Sequence, residues 1–277
     1  MREAYAYYNG SFGKCEEVTI PLSDRSICFG DAVYDAAIVM KGDIVWESEH
    51  INRLTSNASA LEIPTNFSQD ELRDTLQNVV KMSKIESAFL YFQISRDSIC
   101  RVHSAKECLK SNLLITVEKF TLADPETPLS LITFPDKRYG YCNIKTVNLL
   151  PSVLAASEAD RRSCDEAVFI RDGIVTECSR SNVFILKDGV LKTHPKSNRI
   201  LAGITRQKII SACKQLSIDV LETEFTKEEL FDADEILISS TTKLCLGAKL
   251  IDGIPVGGRC PDLRRKIYGE LHNNLVE

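Results

Sequence analysis

Short apolar runs alternate with turn-forming dipeptides along the chain, and the hydrophobic period switches between two and three to four residues. "YAYYNGSFG" (5–13) sets Asn9-Gly10 between alternating flanks, the signature of a two-residue hairpin turn. "AAIVMKGDIVWE" (36–47) repeats the idea around Lys41-Gly42-Asp43. From Ser48 to Leu61 the period lengthens, with Ile51, Leu54, Ala58 and Leu61 at helical spacing. A further helix is predicted from Ser68, where Glu71 completes a capping box and Leu72, Leu76 and Val79 continue the apolar stripe. "AFLYFQIS" (88–95) and "NLLITVE" (112–118) are predicted strands.

"KFTLADPETP" (119–128) is polar and carries two prolines, which makes it the candidate linker. Beyond it strands are predicted near 129–134 and 142–147, followed by a helix in "LLPSVLAASEADRR". Asp172-Gly173 and Asp188-Gly189 then punctuate a run of strands. A helix over 205–216, a strand over 233–241 and a C-terminal helix marked by Leu263, Ile267 and Leu271 complete the pattern. Strands and helices mix without strict β-α-β alternation. The fold class is therefore α+β, with two domains over 1–120 and 121–277.

Composition narrows the function. The chain of 277 residues is 44% hydrophobic and 26% charged, as a globular protein with a real core should be. Its net charge of −5 argues against nucleic acid or an anionic membrane surface as partner. The first residues lack an apolar signal region, and no apolar stretch is long enough to span a bilayer, so a cytoplasmic location is expected. The 10 cysteines are scattered without a C-x-x-C pair beside only 4 histidines, so metal-ligand spacing is absent and reduced thiols are expected.

Several residues then stand out. "NIKTVNLL" (143–150) places Lys145 alone in an extended, apolar-leaning run. In "ILAGITRQKII" (200–210) a glycine precedes Thr205, which opens a helix, so the backbone N–H groups of Gly203–Thr205 suit either an anion or an ordinary N-cap. The hydroxyl cluster of "SSTTK" (239–243), with Thr241 at its centre, suits a phosphate, and Arg53 in "EHINRL" is a further anion ligand or a solvated helix residue. Glu177, at the end of a predicted strand just before small polar residues, is a turn residue or a carboxylate that acts with Lys145. Taken together these residues match one chemistry. A lysine can condense with a carbonyl cofactor, and pyridoxal phosphate needs a carboxylate at its ring nitrogen and an anion site for its phosphate.

The motifs "DRSICFGDAVYDAA", "EHINRL", "YFQISR", "RVH", "IKTVNLL", "VTECSRSNVF", "THP", "ILAGITR" and "ISSTT", in that order, resemble the class IV (fold type IV) pyridoxal-phosphate aminotransferases, most closely those acting on D-amino acids. The resemblance implies two α/β domains with pyridoxal 5'-phosphate in the cleft between them, and transamination between a D-amino acid and a 2-oxo acid. It implies that Lys145 binds the cofactor's aldehyde and moves the proton at the substrate's α-carbon, and that Glu177 pairs with the ring nitrogen. Arg53, Ile204, Thr205 and Thr241 would hold the phosphate. Leu201 would support the ring, and Arg138 would lie near the phenolic oxygen. Tyr34, Arg101 and His103 would trap the substrate's α-carboxylate, the last two reaching across from the partner subunit of a homodimer. His50 and His194 are expected to support structure, and Asp35 to support residues that touch the cofactor.

Branched-chain L-aminotransferases and aminodeoxychorismate lyases share the resemblance in part. The former typically carry a tyrosine where this chain has Leu150, and neither usually has the Arg-x-His pair of Arg101 and His103. The main departure from the D-amino-acid pattern is Arg180, where a small polar residue is typical. It is expected either to bind a substrate's second carboxylate or to form an ion pair with an acid such as Asp35. Ala36 and Ala37 hint at a wider side-chain pocket.

Overall fold

The computed structural model describes residues 3–99 and 101–275. The chain forms two compact units. The first runs up to Thr121 and also takes in Ile144–Asn148; the second comprises Leu122–Asn143 and Leu149–Leu275.

In the first unit, β1 (Ala4–Tyr8) and β2 (Ser11–Lys14) form the hairpin expected at Asn9-Gly10, with Tyr8 opposite Ser11. Both turn residues have positive φ, as a tight turn joining twisted strands requires. The short helix α1 (Arg25–Phe29) is missing from the sequence reading, being too brief to show a period. It is followed by β3 (Ala32–Met40) and β4 (Asp43–Ile44), which turn at Lys41-Gly42. Next come α2 (Glu47–Ala60), α3 (Gln69–Ser83), β5 (Ser87–Arg96) and β6 (Ser111–Lys119). The six strands pair antiparallel in the order β2-β1-β6-β5-β3-β4. Ile51, Leu54 and Ala58 of α2, with Leu72, Leu76 and Val79 of α3, meet Leu90, Phe92, Ile115 and Val117 of the sheet in one buried core. Both predicted helical stripes therefore point inward.

The predicted strand over 142–147 does not form; in the described structure only an isolated bridge joins Thr146 to Val33. The reason lies in the sheet edge. β4 covers only the far end of β3, leaving Ala32–Tyr34 open for pairing. The segment docks there through Tyr34 N to Lys145 O (2.9 Å) and Val147 N to Ala32 O (3.2 Å). Asn148 Nδ2 donates to Gly30 O at 2.9 Å, and Gly30 has φ 62°. A Cβ on Gly30 would meet Asn148 Oδ1 at 2.4 Å, so glycine is needed for both the turn and the contact.

The second unit contains β7 (Leu129–Pro135), α4 (Leu150–Arg161), β8 (Glu166–Arg171), β9 (Ile174–Cys178), β10 (Asn182–Lys187) and β11 (Val190–Thr193). It continues with α5 (Ile204–Gln215), β12 (Val220–Glu222), α6 (Lys227–Asp232), β13 (Glu235–Ser240), β14 (Leu244–Ile251), β15 (Ile254–Pro255) and α7 (Pro261–Asn273). Its mixed sheet has the order β12-β11-β10-β13-β14-β7-β8-β9, with β15 beside β14. The Asp172-Gly173 and Asp188-Gly189 turns fall where the sequence puts them. Val168, Val183, Ile185, Ile236, Ile238 and Leu246 pack with Phe225 and Leu230 in a buried core. Among the described residues no helix is long and apolar enough to cross a membrane.

The α3 cap is complete: Glu71 N donates to Ser68 Oγ (3.1 Å) and Ser68 N to Glu71 Oε2 (2.7 Å). Ser68→Ala should lower unfolding stability by about 0.5–2 kcal/mol, read from chemical denaturation with an unchanged m-value. Stability equal to wild type would mean that the cap does not secure this helix.

Candidate active site

Glu177 comes from the end of β9 and is nearly buried. The Arg138 guanidinium forms a short ion pair with its Oε1. Its Oε2 accepts from Asn182 Nδ2 (3.0 Å) and from Leu201 N (2.9 Å). A carboxylate at that depth is costly unless such donors replace water. Arg138 is itself braced by Asp136 (Nε 3.0 Å, Nη2 2.9 Å), the carbonyl of Arg199 (3.1 Å) and the face of Phe169. Burial pushes the Arg138 pKa down, but the Asp136 hydrogen bonds and the Glu177 and Asp136 charges outweigh it, and the net shift is upward. The guanidinium is therefore permanently charged. It was expected near the cofactor's phenolic oxygen. Within the protein its donors go to Asp136, Glu177 and Arg199, which makes it the counter-ion of Glu177.

The loop after Ile200 returns to this carboxylate. Asn182 Nδ2 also donates to Leu201 O at 2.8 Å, tying β10 to the entry of α5. A Cβ on Gly203 would meet Asn182 Oδ1 at 2.3 Å, so this close approach requires glycine. Gly203 is the N-cap of α5 and supplies no side-chain cap, while Ile204 and Thr205 open the helix and are buried. Thr205 Oγ1 is a buried hydroxyl that meets no hydrogen-bond partner among the described residues, and Ser239 Oγ in the "ISSTT" motif is another. A helix start with unclaimed N–H groups beside an orphaned hydroxyl is what an anionic phosphate needs. Thr241 follows β13 in the next turn and is half-buried. The donor set fits a phosphorylated cofactor with a basic ring nitrogen.

In the first unit, Lys145 is half-buried and its Nζ lies 4.3 Å from the centroid of the Tyr34 ring. Tyr34 stacks on Tyr91, whose hydroxyl donates to Gln93 Oε1 at 2.7 Å. Cross-strand pairing of Tyr34 with Gln93 and of Ala36 with Tyr91 puts these side chains on the face of β3 and β5 that meets Lys145. Asp35 lies on the opposite face, fully buried under α2. It receives Arg53 Nε and Nη2 at 2.7 Å each, with His50 Nδ1 at 2.7 Å. His50 and Arg53 reach it together because they lie three residues apart on one helix face. Burial raises the Asp35 pKa, but the Arg53 charge and hydrogen bonds, aided by His50, reverse this and hold it well below the usual range. Asp35 thus fixes the orientation of Arg53. His194 likewise serves the scaffold, its carbonyl accepting from the buried Arg206 at 2.9 Å.

Arg101 and His103 sit on an exposed loop, both against the ring of Phe29: the Arg101 Cζ and the His103 centroid are each 5.2 Å away. Arg180 does not pair with Asp35. Its acidic neighbour is Glu166, with Nε at 3.5 Å from Oε2, and its side chain is 67% exposed. Glu166 is already held by Lys243 (2.5 Å), by Ser181 (3.0 Å) and by Ser179. Burial raises the Glu166 pKa, but Lys243, Ser179 and Arg180 together lower it below its ordinary value. The loose Arg180 contact therefore adds little, and the guanidinium keeps donors to spare. Sequence reasoning missed Asn182, Asp136, Glu166 and Lys243. Their only sequence signal is a polar residue in or beside an apolar strand.

The family model described as Amino-transferase class IV matches residues 32–251. A D-alanine aminotransferase from Bacillus licheniformis is 34% identical over 274 residues, covering 97% of this chain and 96% of that protein. One from Listeria monocytogenes serotype 4b is 37% identical over 273 residues, covering 95% and 91%. Among solved structures, a branched-chain aminotransferase from Thermoproteus uzoniensis superposes with a TM-score of 0.89 at 25% identity, covering 97% of this chain and 93% of that one. The motifs read from the sequence thus sit in a known fold with known relatives, and this protein belongs to the class IV aminotransferase family.

Proposed function

We propose that this protein transfers the amino group of a D-amino acid, D-alanine or D-glutamate in type, to a 2-oxo acid such as pyruvate or 2-oxoglutarate, with pyridoxal 5'-phosphate as cofactor. The observation that carries the reading is the buried Glu177, held ionised by Arg138, Asn182 and Leu201. An ionised carboxylate keeps a proton on a pyridine nitrogen, as this cofactor's chemistry requires. When bound, the cofactor supplies a ring that withdraws electrons from the substrate's α-carbon. The protein does the rest. Lys145 offers the amine that binds the aldehyde and moves the proton at the α-carbon. The α5 start at Ile204 and Thr205, with Arg53 and Thr241, holds the phosphate, while Leu201 supports the ring. Arg138 keeps Glu177 charged.

The D-amino-acid preference rests on Arg101 and His103, which with Tyr34 bind the α-carboxylate, and on the relatives that carry the D-alanine aminotransferase name. Leu150 replaces the tyrosine expected of a branched-chain L-enzyme. The working form is a homodimer in which the loop of one protomer serves the site of its partner. Val102 and Leu109 of that loop, and Leu22 just before α1, are exposed apolar residues, at 49%, 78% and 85%, as a surface covered by a second copy would be. Arg180 binds the second carboxylate of a dicarboxylic substrate.

D-alanine added to the holoenzyme without an acceptor should change the cofactor's absorption and release pyruvate in stoichiometric amount. L-leucine and L-valine should leave the spectrum unchanged, and prior borohydride treatment should fix the cofactor on the Lys145 peptide. Rapid reaction with L-branched-chain acids and none with D-acids would replace this reading by the branched-chain one.

A bidentate charged hydrogen-bond pair contributes about 1.5–3 kcal/mol, so Arg180→Ser should lower kcat/KM for D-glutamate roughly 10- to 150-fold. D-alanine, with no second carboxylate, should change less than about fivefold. An equal fall for both substrates would put Arg180 on the α-carboxylate. No change for either would leave it as an outlying partner of Glu166.

A further inference from the structure

The loop that carries Arg101 and His103 has no strand ladder over 101–110 to fix it, so its position depends on side-chain contacts from elsewhere. Arg25 supplies two of them. Arg25 is 4% exposed on α1, an unusual place for a guanidinium unless it is fully used. Its Nη1 donates to Val102 O at 2.6 Å and its Nη2 to His103 O at 3.2 Å. Its Nε donates to Asp31 Oδ2 at 2.8 Å, which aims the fork at the loop. Arg25 Cζ also lies 4.6 Å from the centroid of Phe29, the ring that His103 and Arg101 rest against.

The contacts around this clamp brace it at both ends. Asp31 is held from the other side by Arg96 (3.0 Å), whose Nη atoms donate to the carbonyls of Leu61 and Glu62 at 2.6 Å each. The far end of the loop is closed by Asp97, whose Oδ2 accepts from Leu109 N (3.1 Å) and Lys110 N (3.3 Å), and whose carbonyl accepts from Arg25 N (3.3 Å).

We propose that Arg25 is a positioning residue for substrate: it holds the backbone of Val102 and His103 so that the Arg101 and His103 side chains present a preformed trap for the α-carboxylate. This rests on the assignment of Arg101 and His103 as the trap. Without the clamp, carboxylate binding must first order the loop, which weakens binding. Lysine cannot substitute, because one ammonium does not reproduce a planar fork that meets two carbonyls and a carboxylate at once.

The test uses the holoenzymes of Arg25→Lys, Arg25→Met and, as reference, Arg101→Ala. KM and kcat are measured for D-alanine, and the Kd of propionate, an unreactive carboxylate, by calorimetry. Both Arg25 variants should raise KM and the propionate Kd about tenfold or more, with kcat within about threefold of wild type. Borohydride fixation at Lys145 should be unchanged in both. Values within about twofold of wild type, while Arg101→Ala shows large losses, would overturn the clamp and leave the trap intact. Full rescue by lysine would also overturn it, by reducing the role to charge. If Arg101→Ala changes neither quantity although the wild-type enzyme turns over D-alanine, the trap is misassigned and the clamp falls with it. Should Arg25→Met fail to fold, Arg25→Lys carries the same test.

Discussion

A carboxylate removed from water keeps its charge only if fixed donors take the place of the lost solvent, and Glu177 is built around that constraint. Each oxygen of Glu177 is met by a separate part of the second unit: Arg138 from the segment after β7, Asn182 from β10, and the Leu201 amide from the entry to α5. The same atoms fix the start of α5, because Asn182 also holds Leu201 O and excludes any side chain at Gly203. The buried charge and the position of the helix start are thus set by one short network. Removing one partner of such a buried pair typically costs about 3–5 kcal/mol, so its geometry is strongly enforced by the fold.

The first unit uses the same device for a different purpose. Asp35 is wholly buried, and its two oxygens are divided between Arg53 and His50 of α2. This pins a long, flexible side chain that would otherwise sample many rotamers, and it leaves Tyr34, Tyr91 and Lys145 to form the opposite face of the same strands. The alternation of β3 therefore separates two tasks. Asp35 faces Arg53 and His50 on one side, and Tyr34 faces Lys145 on the other.

Much of this was legible in the sequence. Helices with strong 3.6-residue stripes and hairpins with Asn-Gly or Asp-Gly turns depend on local chemistry, and they appear where that chemistry puts them. Lys145, Glu177 and the Gly203–Thr205 helix start stood out because their residue types are unusual in those settings. The strand drawn through Lys145 was not found, because pairing there depends on how much of the β3 edge the short β4 leaves open. The protein partners of Arg138 were not legible for a related reason. Its partners Asp136, Glu177 and Arg199 are brought together only by the sheet and the loop before α5. Arg25 and Glu166 read as ordinary charges in sequence, and only their burial reveals what they hold.

The account stands or falls on the charge of Glu177, and Glu177→Gln isolates that charge with little change of volume. Because the same network holds the start of α5, the variant is compared with wild type at equal cofactor content, read from its absorbance. Its kcat/KM for D-alanine should fall by about 10²–10³, as expected when a preorganised charge aimed at the reacting group is lost. Turnover within about tenfold of wild type, with cofactor bound, would contradict the account, because it would mean that the buried carboxylate is not what the chemistry relies on.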